Sequence, residues 1–204
     1  TIPAALRLQG SLQVDLLQRC LNEIVHRHEV LRTQFVTEAG EPSQTIQPPQ
    51  LVDLPVIVLD SKGGDFNLEE QIAPYLKALV ELPFDLTTGP LLRCQLIRLD
   101  DADHVLALSI HHIVADYWSL RVLMRDIALL YQAFSQQQES PLPALPIQYA
   151  DYAIWQHNQQ KSQLKSQLDY WLHTLANPPS ILQLPTDYPR PAVQTFCGAR
   201  CSFT

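Results

Sequence analysis

The sequence predicts an α/β chain, and three observations carry that prediction. A short, almost wholly apolar run, Val105 to Ile110, reads as a strand buried on both faces. The run after it places Trp118, Val122, Leu123, Ile127, Leu130, Tyr131 and Phe134 at steps of three and four, which makes one helical face. Strand-like and helix-like stretches also alternate along most of the remaining chain.

Taken in order, Ile2 to Leu8 reads as a strand that Gly10 breaks. A helix follows over about Gln13 to Arg27, with Val14, Leu17, Leu21, Ile24, Val25 and His28 on one face. At Arg27-His28-Glu29-Val30-Leu31-Arg32-Thr33-Gln34-Phe35 the period changes from helical to alternating. Charges packed this tightly at a helix end cap it or form surface pairs. Glu38 to Pro42 is a turn, and Thr45 to Gln47 returns as a hairpin strand.

Val56 to Leu59 is an apolar strand, and Lys62 to Asp65 is a loop without the spacing of a phosphate-binding loop. Asn67, with Glu70, forms a capping box for a helix to about Glu81, in which Pro74 marks a kink or the first turn. Asp85 to Pro90 is a turn. Leu91 to Leu99 and His104 to Ile110 are strands of a hairpin joined by Asp100-Asp101-Ala102-Asp103. Beyond Phe134 the chain turns polar, then proline-rich, as a semi-rigid exposed connection. Gln148 to about Ala176 is a long polar helix or helix pair, and Leu184 to Pro191 is a rigid extended stretch.

Composition narrows the function. The chain has 204 residues, 46% of them hydrophobic, enough for one domain or two small lobes with a core. A net charge of −7 without a basic block argues against nucleic acid. No apolar run reaches membrane-spanning length, and no secretory signal opens the chain. Cys20, Cys94, Cys197 and Cys201 are too sparse to ligate a metal and read as reduced cytosolic thiols, the first two as small core residues. Thr1 and Thr204 both fall within strand-like runs, so the chain is expected to be a piece of a longer polypeptide.

The chemistry concentrates where the buried strand meets the helix, at Ser109-Ile110-His111-His112-Ile113-Val114-Ala115-Asp116-Tyr117-Trp118-Ser119. On neighbouring strand positions His111 and His112 point to opposite sides, so one faces a cleft and the other packs as support. A histidine flanked by apolar residues is commonly a satisfied core residue, and Asp116 alone reads as a helix N-cap. Zinc is disfavoured, because adjacent histidines diverge and no HExxH is present.

The whole pattern HHxxxD, followed by an aromatic residue and Ser119, resembles the signature of condensation domains of nonribosomal peptide synthetases. Further stretches match the same family in the same order. RHEVLRTQF is similar to its RHExLRTxF motif, PFDLTTGPLLR to its PFDL-x-x-GPLLR segment, YADYAIW to YxDYAxW, and LPTDYPRP to LPTD-x-PRP. Together they span nearly the whole chain.

The resemblance implies a chloramphenicol acetyltransferase-like lobe, a two-layer sandwich of helices on a mixed sheet, with residues 1–204 forming the N-terminal lobe and a second lobe absent. It implies amide formation between acyl or peptidyl and aminoacyl thioesters in peptide or hybrid peptide-polyketide synthesis. These thioesters ride on the phosphopantetheine arms of carrier domains, with no cofactor bound directly and no metal. The implied partners are those carriers, adjacent synthetase domains and the chain's own C-terminal lobe, in the cytoplasm.

By that resemblance His112 is expected to take or hold the proton of the attacking amine, or to position it, with His111 in support. A neutral amine needs little activation, which favours positioning and electrostatics. Asp116 is expected to be a buried structural carboxylate holding the histidine loop. Arg27 or Arg32 is expected to pair with Asp187. Tyr149, Asp151 and Trp155 are expected to anchor their helix on the core, and Tyr117, Trp118 and Ser119 to line the substrate tunnel. The family usually has glycine where this chain has Tyr117, so a ring there is expected to narrow the tunnel, or to be strained if a positive φ is required. The competing expectations are a catalytically degenerate domain that docks carrier or partner proteins, and a stand-alone acyltransferase using CoA.

Overall fold

A computed structural model describes residues 1–59 and 68–194, with the side chains of residues 160–163 left aside. The expected loop at Lys62 to Asp65, the Asn67 capping box and the thiols Cys197 and Cys201 lie outside the described residues. The chain divides into two units, Thr1–Asn158 and Gln159–Thr204.

The first unit is built on a four-stranded mixed sheet. Its strands are β1 (Ile2–Gln9), β4 (Val56–Val58), β5 (Leu92–Asp100) and β6 (Asp103–Ile110), in the spatial order β1-β6-β5-β4. β6 is central and pairs antiparallel with β1 and with β5, while β4 joins β5 in parallel at the edge. That position explains why His104 to Ile110 are all buried: both edges are hydrogen-bonded and both faces are covered.

Helices α1 (Val14–Arg27) and α3 (Tyr117–Ser135) pack against one face and against each other. Their Leu17, Leu21, Ile24, Leu123, Ile127 and Leu130 meet Cys94, Leu96, Leu106 and Leu108 of the sheet in the main core. This is the expected layer of helices on a sheet. The other face carries a smaller cluster, in which Ile97, Leu99 and Val105 pack under Leu68, Ile72 and Leu76 of α2 (Leu68–Glu81). Pro74 lies inside α2 and is not its first turn. Cys20 and Cys94 behave as small core residues, and burial pushes their thiols up to about 11 and about 12.

A separate hairpin, β2 (Thr33–Glu38) and β3 (Glu41–Ile46), follows a 3-10 turn at Glu29–Arg32. Its return strand is longer than the sequence suggests, because Ala39 and Gly40, both at positive φ, make a two-residue turn that pairs Glu38 with Glu41. Helix α4 (Tyr149–Thr174) is one continuous helix, not a pair, and its start belongs to the first unit. In the second unit the α4 end carries an edge-to-face pair of Tyr170 and Trp171, and Leu184 to Pro191 is exposed, forms no strand and bends at Asp187 and Tyr188.

Candidate active site

The histidines do not sit on the strand. Both neighbours of β6 run out at the same place, since Ile110 is the last residue paired with Ile2 and with Leu92. The chain then leaves the sheet in a tight turn. The His111 N–H donates to the Leu91 carbonyl at 3.0 Å, and the Val114 N–H donates to the His111 carbonyl at 3.1 Å. The His111 side chain closes the turn from inside, its Nδ1 accepting from the Ile113 N–H at 3.0 Å. Its ring meets Phe84 edge to face, with centroids 5.7 Å apart.

The His111 side chain therefore holds the turn, and the two histidines diverge by turn geometry rather than strand alternation. Burial lowers its pKa, in keeping with a neutral ring whose Nδ1 lone pair is occupied. His112 stands next to it at the exposed crest of the turn and makes no side-chain hydrogen bond among the described residues.

Asp116 is the N-cap of α3. Its Oδ1 accepts from the Ser119 N–H at 2.8 Å and from the Ser119 hydroxyl at 2.7 Å, while the Asp116 N–H donates to Ser119 Oγ at 3.2 Å. This reciprocal capping box orients the helix start and holds the carboxyl below its usual range. The residue is exposed, which corrects the expectation of a buried carboxylate at this position.

The buried carboxylate is Asp126, 1% exposed in the middle of α3. Its Oδ1 accepts from Arg125 at 2.7 and 3.0 Å. Its Oδ2 lies 3.8 Å from Arg27 Nε and 3.8 Å from His28 Nε2. Arg27 also donates from Nη1 to the Pro143 carbonyl at 2.5 Å. Arg32 donates to the Gln47 carbonyl at 2.5 Å and to Glu29 at 3.2 Å. Within their own unit the two arginines thus meet Asp126 and Glu29, while Asp187 belongs to the second unit.

Gln148 locks this knot to α4. Its Nε2 donates to the Arg27 carbonyl at 2.9 Å, and its Oε1 accepts from the Glu29 N–H at 3.2 Å. Asp151 reaches back to accept from the Gln148 N–H at 2.8 Å, fixing the helix start.

These pieces enclose an open cleft of about 660 Å³, within the usual size range of ligand sites. His112, Ala115, Asp116 and Ser119 form one side, and His28, Val30, Leu145, Gln148, Tyr149 and Tyr152 complete it. Tyr149, Tyr152 and Trp155 form a ladder with successive ring centroids 5.7 Å apart. All three rings remain at least 39% exposed, and of them Tyr149 and Tyr152 line the cleft while Trp155 does not.

Of the three residues expected in a tunnel, Ser119 lines the cleft, whereas Tyr117 and Trp118 do not. Tyr117 is the first residue of α3, 68% exposed and not at positive φ, so no strain arises there. A second cavity of about 550 Å³ is floored by Val25, Leu31, Leu92 and Cys94 and has no histidine in its lining. Asp126, Gln148, His28 and Tyr152 were not apparent as site residues from sequence. Asp126 had a readable signal, because it lies three residues after Leu123 and four before Leu130, on the apolar stripe where a charge needs a partner.

Comparison with known proteins settles the family. The profile of the family described as Condensation domain matches residues 1–204. This chain belongs to the condensation domain family. It is 44% identical over 203 residues to chondramide synthase cmdD of Chondromyces crocatus, covering 99% of this chain and 5% of that protein. It is 42% identical over 200 residues to malpinin synthetase of Mortierella alpina, covering 98% of this chain and 2% of that one. Among solved structures, the X-domain from teicoplanin biosynthesis superposes with a TM-score of 0.82 at 33% identity, over 94% of this chain and 42% of its own. This condensation domain chain thus spans a small part of its synthetase relatives and less than half of its structural neighbour.

Proposed function

We propose that this chain supplies the His112-bearing lobe of an amide-forming condensation domain. In this reading a donor acyl or peptidyl group and an acceptor amine both arrive as thioesters on the phosphopantetheine arms of carrier proteins. The amine nitrogen forms a bond to the donor carbonyl carbon, the carbon–sulfur bond breaks, and the donor's thiol departs.

The observation that carries the proposal is the exposed imidazole of His112 on a rigid turn at the rim of an open cleft. Imidazole can accept and return a proton near neutral pH, and the hydrogen bonds of the turn present this one at the cleft rim. His111 sets that turn, Asp116 and Ser119 set the first turn of α3, and the Arg27–Asp126–Gln148 knot holds the opposite elements in register.

The test is a single-turnover assay on a complete condensation domain containing this chain, with one carrier loaded as donor and another as acceptor. Formation of the amide supports the proposal, and its absence with intact, loaded carriers refutes it. This chain assayed alone should give no amide, since the second lobe is expected to complete the site. Product from the isolated chain would overturn the one-lobe reading.

A docking role without catalysis is the second reading. It is favoured by a solved relative, the teicoplanin X-domain, described in complex with OxyB. Carrier or partner binding without amide formation in the same assay would select it.

A further inference from the structure

Resting on the amide-forming reading above, we propose that His28 is a second proton-accepting imidazole of the cleft, oriented by the buried carboxylate of Asp126. The need for it follows from counting protons. The amino group of an aminoacyl thioester is protonated in part near neutral pH. A nitrogen that arrives as R–NH₃⁺ must lose two protons to become a secondary amide nitrogen. One of them ends on the departing thiolate as R–SH, and the other goes to solvent. A single imidazole holds one proton at a time.

The cleft has two imidazoles from different elements. His112 comes from the turn after β6, and His28 from the end of α1. His28 lines the cleft and has Nε2 3.8 Å from Asp126 Oδ2, so in the proposed role Nδ1 is the nitrogen that accepts. A carboxylate behind the ring favours the proton on Nε2 and stabilises the imidazolium once it forms, the logic of an aspartate behind a general base. The first proton transfer then reads R–NH₃⁺ + His28 → R–NH₂ + His28-H⁺. After attack on the thioester carbon, the second proton passes by way of His112 to the sulfur, and His28 returns its proton to solvent through the open side of the cleft.

The charges around His28 are mixed. Arg27 and Glu29 flank it, Asp126 and Arg125 approach from α3, and His112, Asp116, Tyr149 and Tyr152 share the cleft. Burial, and then Arg27, lower its pKa while Asp126 raises it, so the ring stands neutral and ready to accept at neutral pH.

Two measurements test this. Nitrogen NMR of the folded protein should find His28 with its neutral-state proton on Nε2, and Asp126→Asn should weaken that preference. A proton on Nδ1, or a tautomer indifferent to Asp126→Asn, would overturn the proposal without any activity measurement.

In the carrier-loaded assay, His28→Gln should slow amide formation by about 100-fold at pH 6.5, and the deficit should shrink toward pH 9, where the amine arrives uncharged. An acceptor whose amine is uncharged at pH 7 should restore His28→Gln to near the parental rate. Folded His28→Gln with a parental rate and pH profile would sink the inference alone, whereas a parental domain that makes no amide would sink the functional reading with it.

Discussion

Helix α3 carries one aspartate at its first turn and another in its middle, and their surroundings are opposite. Asp116 is exposed, caps the helix and trades hydrogen bonds with Ser119. Asp126 is sealed from water, and its charge is met by Arg125 and Arg27, with His28 beside it. An exposed cap shares its work with solvent, so its removal leaves water to satisfy the helix start. A buried carboxylate has no such substitute, and its partners are stranded when it goes. The motif residue therefore shapes the site locally, while the residue outside the motif holds the surrounding elements together.

The largest loss is expected at Asp126. Asp126→Ala should cost about 3–5 kcal/mol in urea denaturation, because it leaves guanidinium charge buried and unpaired. A neighbouring aliphatic deletion on the same stripe, Leu130→Ala, should cost about 2–5 kcal/mol and leave the slope of the denaturation curve unchanged. Asp116→Ala should cost much less than Asp126→Ala by the same assay, since water can take over the cap. A loss at Asp116 equal to that at Asp126 would erase the contrast between them.

Acid separates the buried groups from the exposed ones in a second way. His28, His104 and His111 all have folded-state pKa values below the ordinary 6.5, with burial the first cause in each. The unfolded chain therefore binds more protons than the folded one as pH drops below 6.5. The stability these neutral rings hold is fully present above 6.5 and is lost as pH falls from there toward their folded values. Melting temperature should decline between pH 7.5 and pH 5.5, and His111→Gln should lessen the decline. Asp116 and Asp103 act in a lower window, since their carboxyls are depressed. What they contribute is present above about 3.8 and is lost only in stronger acid.

The smallest effect is expected at Tyr117. Replacement by glycine should lower stability by less than about 1 kcal/mol, a cost of helix propensity alone. A gain in stability would mean that the tyrosine is strained after all.

Much of the fold was legible because the core strands are chemically plain. Val105 to Ile110 holds one polar side chain, Ser109, so it had to be buried, and a strand buried on both sides is central. The residues of α1 and α3 that face the sheet follow the helical period, apart from Trp118, which falls in the first turn of α3 and is 73% exposed. The site was legible in part. The HHxxxD pattern marks a turn at the rim of a cleft, but strand alternation misjudged how the histidines diverge, since pairing ends at Ile110 and a turn takes over.

What Arg27 meets within its own unit was not legible for a different reason. Asp126 and Gln148 lie far from Arg27 in sequence, and only the packing of α1 against α3 and the start of α4 brings them together. Nothing in the local spacing of Gln148 marks it as a latch.

The decisive variant is His112→Ala in a complete condensation domain containing this chain, with rate and carrier binding followed in the same preparation. Amide formation should fall by at least about 100-fold while both loaded carriers still bind. An undiminished yield of amide from that variant would contradict the role given to His112.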